Sequence, residues 1–242
     1  MRRIFLFWIA GLFLWSCSAT FRPTSVKWST YPISELQDKD SAILSYLRPL
    51  RDSLDQTMNV VLGTCVKRMD IRRPVSTLGN FMSDACLQLA REKFDAGADI
   101  SLVRFGGIRR PYLDPGPVTR GMVFELMPFD NLLVLVDVSG ETLKRFIEEL
   151  GGEGAGIAGF SFRIKDKKVS EILVGGKPID PKETYTVVYS DYNYNNSPEL
   201  KEGRLRMTGY LIRDAIEEWV KKNTVSGKPL GEGLENRIHV GK

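Results

Sequence analysis

From residue 41 onward the apolar residues switch repeatedly between helical spacing and strand spacing, and this alternation limits the possible folds more than composition does. Ile43, Leu44, Tyr46, Leu47, Leu50 and Leu54 follow the cap cluster Asp38-Lys39-Asp40-Ser41 and predict an amphipathic helix to about Met58. The β-branched run from Val60 to Val66 predicts a buried strand. Helical spacing returns over Leu78–Phe94, Thr119–Leu126, Gly140–Leu150 and Met207–Val220. Strand signals occupy Ile100–Arg104, Leu132–Val138, Phe160–Ile164, Val169–Val174 and Tyr185–Tyr189. Pro111–Pro117 reads as a loop and Gly151–Gly159 as a glycine-rich connection. Helices interleaved with hairpin-like strand pairs predict an α+β fold, a mixed sheet packed with helices, over residues 39–242.

The N-terminus carries a different signal. Arg2 and Arg3 precede an apolar run of about twelve residues, Ile4 to Trp15, too short to span a bilayer comfortably. It ends in Leu14-Trp15-Ser16-Cys17, which resembles a bacterial lipobox, with Trp15 bulky for its place. The expectation is a signal peptide over 1–16, lipidation of Cys17 with palmitate or a similar acyl group, and a tether over 17–38. Simple secretion and an uncleaved anchor are the alternatives. The lipidated form would be exported and held on a bacterial membrane, on the periplasmic side of the outer membrane, because two or three acyl chains anchor stably. Export permits a disulfide, but Cys86 lies within a helical apolar pattern with Met82, Leu89 and Ala90, so Cys65 and Cys86 read as buried free thiols.

A net charge of +4 over 242 residues, without a Lys/Arg block, argues against a nucleic-acid partner. Catalytic chemistry is equally sparse. The one histidine, His239, cannot supply the imidazoles of a two-metal phosphoesterase, so no metal ligand, catalytic residue or cofactor is assigned to this chain. Gly79-Asn80-Phe81-Met82-Ser83-Asp84 has Phe81 where a metallophosphatase motif needs histidine, and reads as the start of a helix. No Gly-x-Ser-x-Gly elbow is present.

Two features suit binding. Val103-Arg104-Phe105-Gly106-Gly107-Ile108-Arg109 ends a strand in a glycine pair beside an arginine, either a plain turn or a place where backbone and guanidinium meet an anion. Met127-Pro128-Phe129-Asp130-Asn131 puts an aromatic just before a strand, and Tyr189, Tyr192 and Tyr194 lie in and after another. Such aromatics either sandwich a planar base or cap the core.

Taken together, these segments resemble the C-terminal domain of 5'-nucleotidases. The similarity runs through Arg72, Leu78-Gly79-Asn80-Phe81, Asp84-Ala85, Gly97-Ala98-Asp99-Ile100-Ser101-Leu102-Val103 and Gly106-Gly107-Ile108-Arg109. It continues through Gly116-Pro117-Val118-Thr119, Leu126 to Asn131, Gly140 to Leu143 and Glu235-Asn236-Arg237-Ile238, covering roughly residues 40–240. The resemblance implies a domain that binds a nucleotide and swings it to a two-metal site in a separate N-terminal domain. By motif, Arg72 and Arg109 correspond to phosphate-holding arginines, Gly106 and Gly107 to the binding turn, and Phe129 and Tyr192 to the base-stacking aromatics. Arg104 stands where the family has asparagine and Val75 where it has glutamate. Asn195-Asn196-Ser197-Pro198 lacks the ribose carboxylate unless Asp191 substitutes for it.

The expected activity is therefore that of the nucleotide- or phosphoester-binding half of a split 5'-nucleotidase. With only a tether before residue 40, a separately encoded metallophosphoesterase partner would supply divalent metals such as Zn or Mn. A stand-alone binding lipoprotein and a scaffold that no longer binds ligand are the other readings.

Overall fold

The computed structural model describes residues 25, 27–30, 40–150 and 154–241. The expected signal peptide, the expected lipidation site Cys17 and most of the expected tether lie outside the described residues. The chain divides into two compact units, Met1–Tyr46 and Leu47–Lys242. In the first, Asp40 starts helix α1 (Ser41–Met58), its Oδ1 accepting from the Ala42 and Ile43 amides at 2.9 and 3.2 Å. The expected helix is present, yet it buries no residue. Periodicity gave it an apolar face, not a cover.

After the rest of α1, the second unit continues with β1 (Val61–Cys65), β2 (Met69–Asp70) and α2 (Thr77–Lys93), followed by β3 (Ile100–Arg104), β4 (Tyr112–Leu113) and β5 (Gly116–Thr119). Next come α3 (Arg120–Leu126), β6 (Leu132–Ser139), α4 (Gly140–Leu150), β7 (Ala155–Ala158), β8 (Phe160–Lys165) and β9 (Lys168–Val174). The chain finishes with β10 (Lys177–Pro178), β11 (Thr184–Ser190), α5 (Asp191–Asn195), β12 (Arg204–Leu211), α6 (Ile212–Val225) and β13 (Ile238–Val240). The principal sheet has five strands in the order β12-β6-β11-β3-β7; β3 and β11 are parallel and the other neighbours antiparallel. A second sheet runs β10-β9-β8-β13, and β1-β5 and β2-β4 form two-stranded pairs. This is the α+β fold with mixed sheets that the apolar spacing predicts.

The continuous apolar run in β6 has a direct explanation: both faces of the strand are buried. Leu133 and Leu135 enter one core with Leu78, Phe81 and Met82 of α2 and Ile212 and Ile216 of α6. Val134, Val136 and Val138 enter the other, with Leu143, Phe146 and Ile147 of α4 and Phe160 and Phe162 of the second sheet. Cys65 and Cys86 are free and buried, and burial pushes the Cys86 thiol up to about 12.

The helix α2 is locked to the sheet edge by residues of the Gly-Asn motif. Ser76 caps it, accepting from the Gly79 amide at 2.9 Å. Gly79 lies backbone to backbone against Gly156 of β7, where a Cβ would fall 2.0 Å from the Gly79 carbonyl carbon. Asn80, fully buried, accepts from the Ile157 amide at 2.8 Å and donates to the Leu234 carbonyl at 2.7 Å. Arg237 closes the same corner, donating to both carboxylate oxygens of Asp84 at 2.8 and 2.7 Å and to the Ile157 carbonyl. The segment Gly151–Gly159 therefore contains a buried strand, β7, in which small residues admit the helix.

The helix expected over Met207–Val220 divides in two. Arg204–Leu211 pairs with β6, Arg204 opposite Asp137 and Met207 opposite Val134, and the helix begins only at Ile212. Arg206 faces inward, donating to Asp95 at 2.7 Å and Asp137 at 2.6 Å, whereas Met207 is 58% exposed. The polar contacts invert the usual edge-strand pattern. The Arg206 hydrogen bond in turn holds the Asp95 carboxyl below the ordinary carboxylate range.

Candidate functional site

Sheet topology brings distant segments to one edge. Because β3 and β11 are parallel, Arg104 and Ser190 end at the same side of the sheet. β6 and β7 run antiparallel to their neighbours, so Leu132 and Ala155 begin there. The connections at that edge enclose a cleft of about 760 Å³, lined by Arg73, Arg104, Phe105, Gly106, Gly107 and Arg109, by Phe129 and Asn131, and by Gly154, Tyr192, Asn193 and Asn196.

β3 passes into a single 3₁₀ turn, Phe105–Gly107. Nothing lies within 4 Å of where a Cβ would stand at Gly106, and at Gly107 only the Met127 methyl approaches, at 3.6 Å. Neither packing nor a left-handed φ demands glycine at these two positions. The missing side chains leave the backbone open to the cleft, as an anion-binding turn requires.

The Arg109 amide donates to the Leu126 carbonyl at 3.0 Å, joining this turn to the Phe129 loop. The Arg109 guanidinium sits 4.9 Å from the Phe129 ring centroid. Its neighbour Arg110 is occupied by Glu125 and by the Tyr112 carbonyl. Of these two neighbours, Arg109 is the one that faces the cleft.

Arg72 is not part of the lining. Its guanidinium pairs with Asp70 at 3.0 Å, and its side chain is 78% exposed. The adjacent Arg73 reaches the cleft instead, 5.4 Å from the Phe105 ring centroid. Asp70, two residues before Arg72, was the available signal, since an acid at that spacing forms an ion pair with Arg72. Among the described residues, the lining has three guanidiniums and no carboxylate.

The tyrosines after β11 separate by role. Tyr189 is buried edge-on against Phe146 at 5.6 Å, and Tyr194 is buried beneath Lys201. Of these tyrosines only Tyr192, 64% exposed on the first turn of α5, reaches the cleft, whose lining also includes Phe129. Ser190 caps that turn by accepting from the Asn193 amide at 3.0 Å. Asp191 lies outside the lining, and its Oδ1 accepts from the Leu132 and Tyr192 amides at 3.0 and 2.7 Å. That oxygen is thus committed to backbone.

Reading from sequence missed Arg73, Phe105, Asn131, Gly154, Asn193 and Asn196. Asn131 and Asn193 adjoin residues already singled out, whereas Gly154 enters only through the strand pairing of Arg104 with Ala155. Among the described residues no three His, Cys, Asp or Glu side chains converge as a metal site, and His239 stands on β13 opposite Arg163.

Comparison with known proteins bears on the family and the fold. The profile of the 5'-nucleotidase C-terminal domain matches residues 57–200. A 5'-nucleotidase of Vibrio vulnificus is 26% identical over 207 residues, covering 79% of this chain and 36% of its own length. The trifunctional nucleotide phosphoesterase protein of Bacillus subtilis is 29% identical over 233 residues, covering 84% of this chain and 16% of its own. A 5'-nucleotidase precursor from Thermus thermophilus superposes with a TM-score of 0.70 at 27% identity, covering 82% of this chain and 42% of the other. The chain thus spans well under half the length of these relatives.

Proposed function

The chain belongs to the 5'-nucleotidase C-terminal domain family, and from that premise we propose that it is the nucleotide-binding half of a split 5'-nucleotidase. One observation carries the reading: a single cleft joins the open Gly106–Gly107 turn and Arg109 to two aromatics, Phe129 before β6 and Tyr192 on α5. Arg109 grips a phosphate through charge-assisted hydrogen bonds, Arg73 and Arg104 add positive charge, and the aromatics hold the base. Asn131 and Asn193 offer amides to the sugar, whereas Asp191 does not take the part of a ribose carboxylate.

Hydrolysis belongs to a metallophosphoesterase partner, whose divalent ions, Zn or Mn, would activate water and neutralise the phosphoryl oxygens. The residues of this chain do not suit such a centre, with one histidine in 242 residues and no convergent ligand set among those described. Lipid anchoring through Cys17 would hold both components on one membrane surface, where raised effective concentration replaces a covalent link.

The purified chain is expected to release no phosphate from AMP, with or without added Mn²⁺ or Zn²⁺, whereas release should appear once the co-purifying partner is present. Phosphate release by a clean preparation, abolished by chelation, would show that the chain builds its own metal site. Cys17→Ser is expected to move the protein from the membrane fraction to the soluble periplasmic fraction. Retention on membranes after a carbonate wash would eliminate the lipid anchor.

A further inference from the structure

We propose that Asp191 and Arg213 are positioning residues that hold Phe129 and Tyr192 at the separation a planar base needs, an inference that rests on the nucleotide reading above. The two aromatics lie on segments more than sixty residues apart in sequence. A base fits between two rings only if the backbones carrying them keep a fixed distance. One atom links the two segments: Asp191 Oδ1 accepts from the Tyr192 amide at 2.7 Å and from the Leu132 amide, three residues after Phe129, at 3.0 Å.

Arg213 holds the Phe129 loop from the other side. It lies on the first turn of α6, 8% exposed, with its guanidinium 4.2 Å from the Phe124 ring centroid. It donates to the Asp130 carboxylate at 2.8 Å and to the Phe129 and Met127 carbonyls at 3.4 and 3.5 Å. The preceding Ile212 amide donates to the Asn131 carbonyl at 3.0 Å. Three of the five carbonyls in Met127–Asn131 thus end on α6. Neither Asp191 nor Arg213 lines the cleft, so neither contacts ligand. Each acts on the ligand only through the ring it places.

This role differs measurably from a general contribution to folding. Positioning governs the base increment and leaves the phosphate contact at Arg109 intact. The full-length chain, Asp191→Ala, Asp191→Asn and Arg213→Met should be titrated by calorimetry with AMP and with ribose 5-phosphate. Wild type should prefer AMP. In Asp191→Ala and Arg213→Met that preference should fall roughly fivefold or more, while ribose 5-phosphate affinity stays within about twofold. Asp191→Asn, which keeps an acceptor oxygen, should recover most of the preference. Equal weakening of both ligands, an unchanged preference, or no recovery in the asparagine variant would overturn the proposal. If wild type binds neither ligand, the nucleotide reading itself fails and the positioning role falls with it. If wild type prefers AMP and the variants keep that preference, the positioning role alone fails.

Discussion

Gly156→Val is expected to lower stability by about 4 kcal/mol or more, a large share of the roughly 5–15 kcal/mol that holds a domain together. A Cβ at position 156 would stand 2.0, 2.1 and 2.3 Å from the Gly79 carbonyl carbon, oxygen and Cα. These are backbone atoms inside a helix, so no rotamer change relieves the overlap, and α2 must leave β7. The Asn80–Ile157 hydrogen bond and the Arg237 contacts with Asp84 and Ile157 would go with it, because all bridge the same corner. For a chain of this size the melting temperature should fall by roughly 8–16 °C, measurable by circular dichroism. Gly106→Ala is the control: its Cβ meets nothing within 4 Å, so stability should hold while ligand affinity drops. A Gly156→Val protein melting within about 3 °C of wild type would mean that helix and strand do not meet as described.

That contrast between glycines shows what could be read from sequence and what could not. The spacing that predicts Ile100–Arg104 and Gly140–Leu150 matches the observed elements, because both bury regular apolar faces. Gly156 and Gly106 look alike in a string of letters. One is demanded by a helix packed on a strand, with Gly79 seventy-seven residues away in sequence, whereas at the other a side chain would meet only open space. The strand Arg204–Leu211 was hidden because Arg206 points inward to Asp95 and Asp137, partners that lie far off in sequence. In α1 the periodic face was legible, and its lack of burial was not.

At the cleft, the residues on strand ends were legible because a strand followed by glycines and arginine is a local pattern. Arg72 and Arg73 were not distinguishable by adjacency alone; the Asp70 pair separates them. The roles of Tyr189, Tyr192 and Tyr194 likewise depended on which side of β11 and α5 faced the core. Resemblance to a family supplies candidate positions, but the direction of a side chain comes from packing.

Arg109→Ala is expected to weaken AMP binding by about 30–150-fold, the equivalent of roughly 2–3 kcal/mol for a charge-assisted hydrogen-bonding group. Arg109 is exposed, and among the described residues no carboxylate pairs with it, so its loss should leave folding nearly unchanged. Because it meets the phosphate, ribose 5-phosphate should weaken by a similar factor. Phe129→Ala should behave differently, costing AMP about 1–3 kcal/mol and ribose 5-phosphate almost nothing. The two side chains are not independent, since the guanidinium lies 4.9 Å from the Phe129 ring centroid. Removing either therefore frees the other, and the double variant should lose less than the sum of the single losses. Calorimetry of the four proteins against both ligands resolves the pattern. Two losses that follow phosphate and base separately would confirm that the cleft reads a nucleotide by its two ends. Wild type binding no more tightly than Arg109→Ala would instead leave a family fold whose arginine no longer serves recognition.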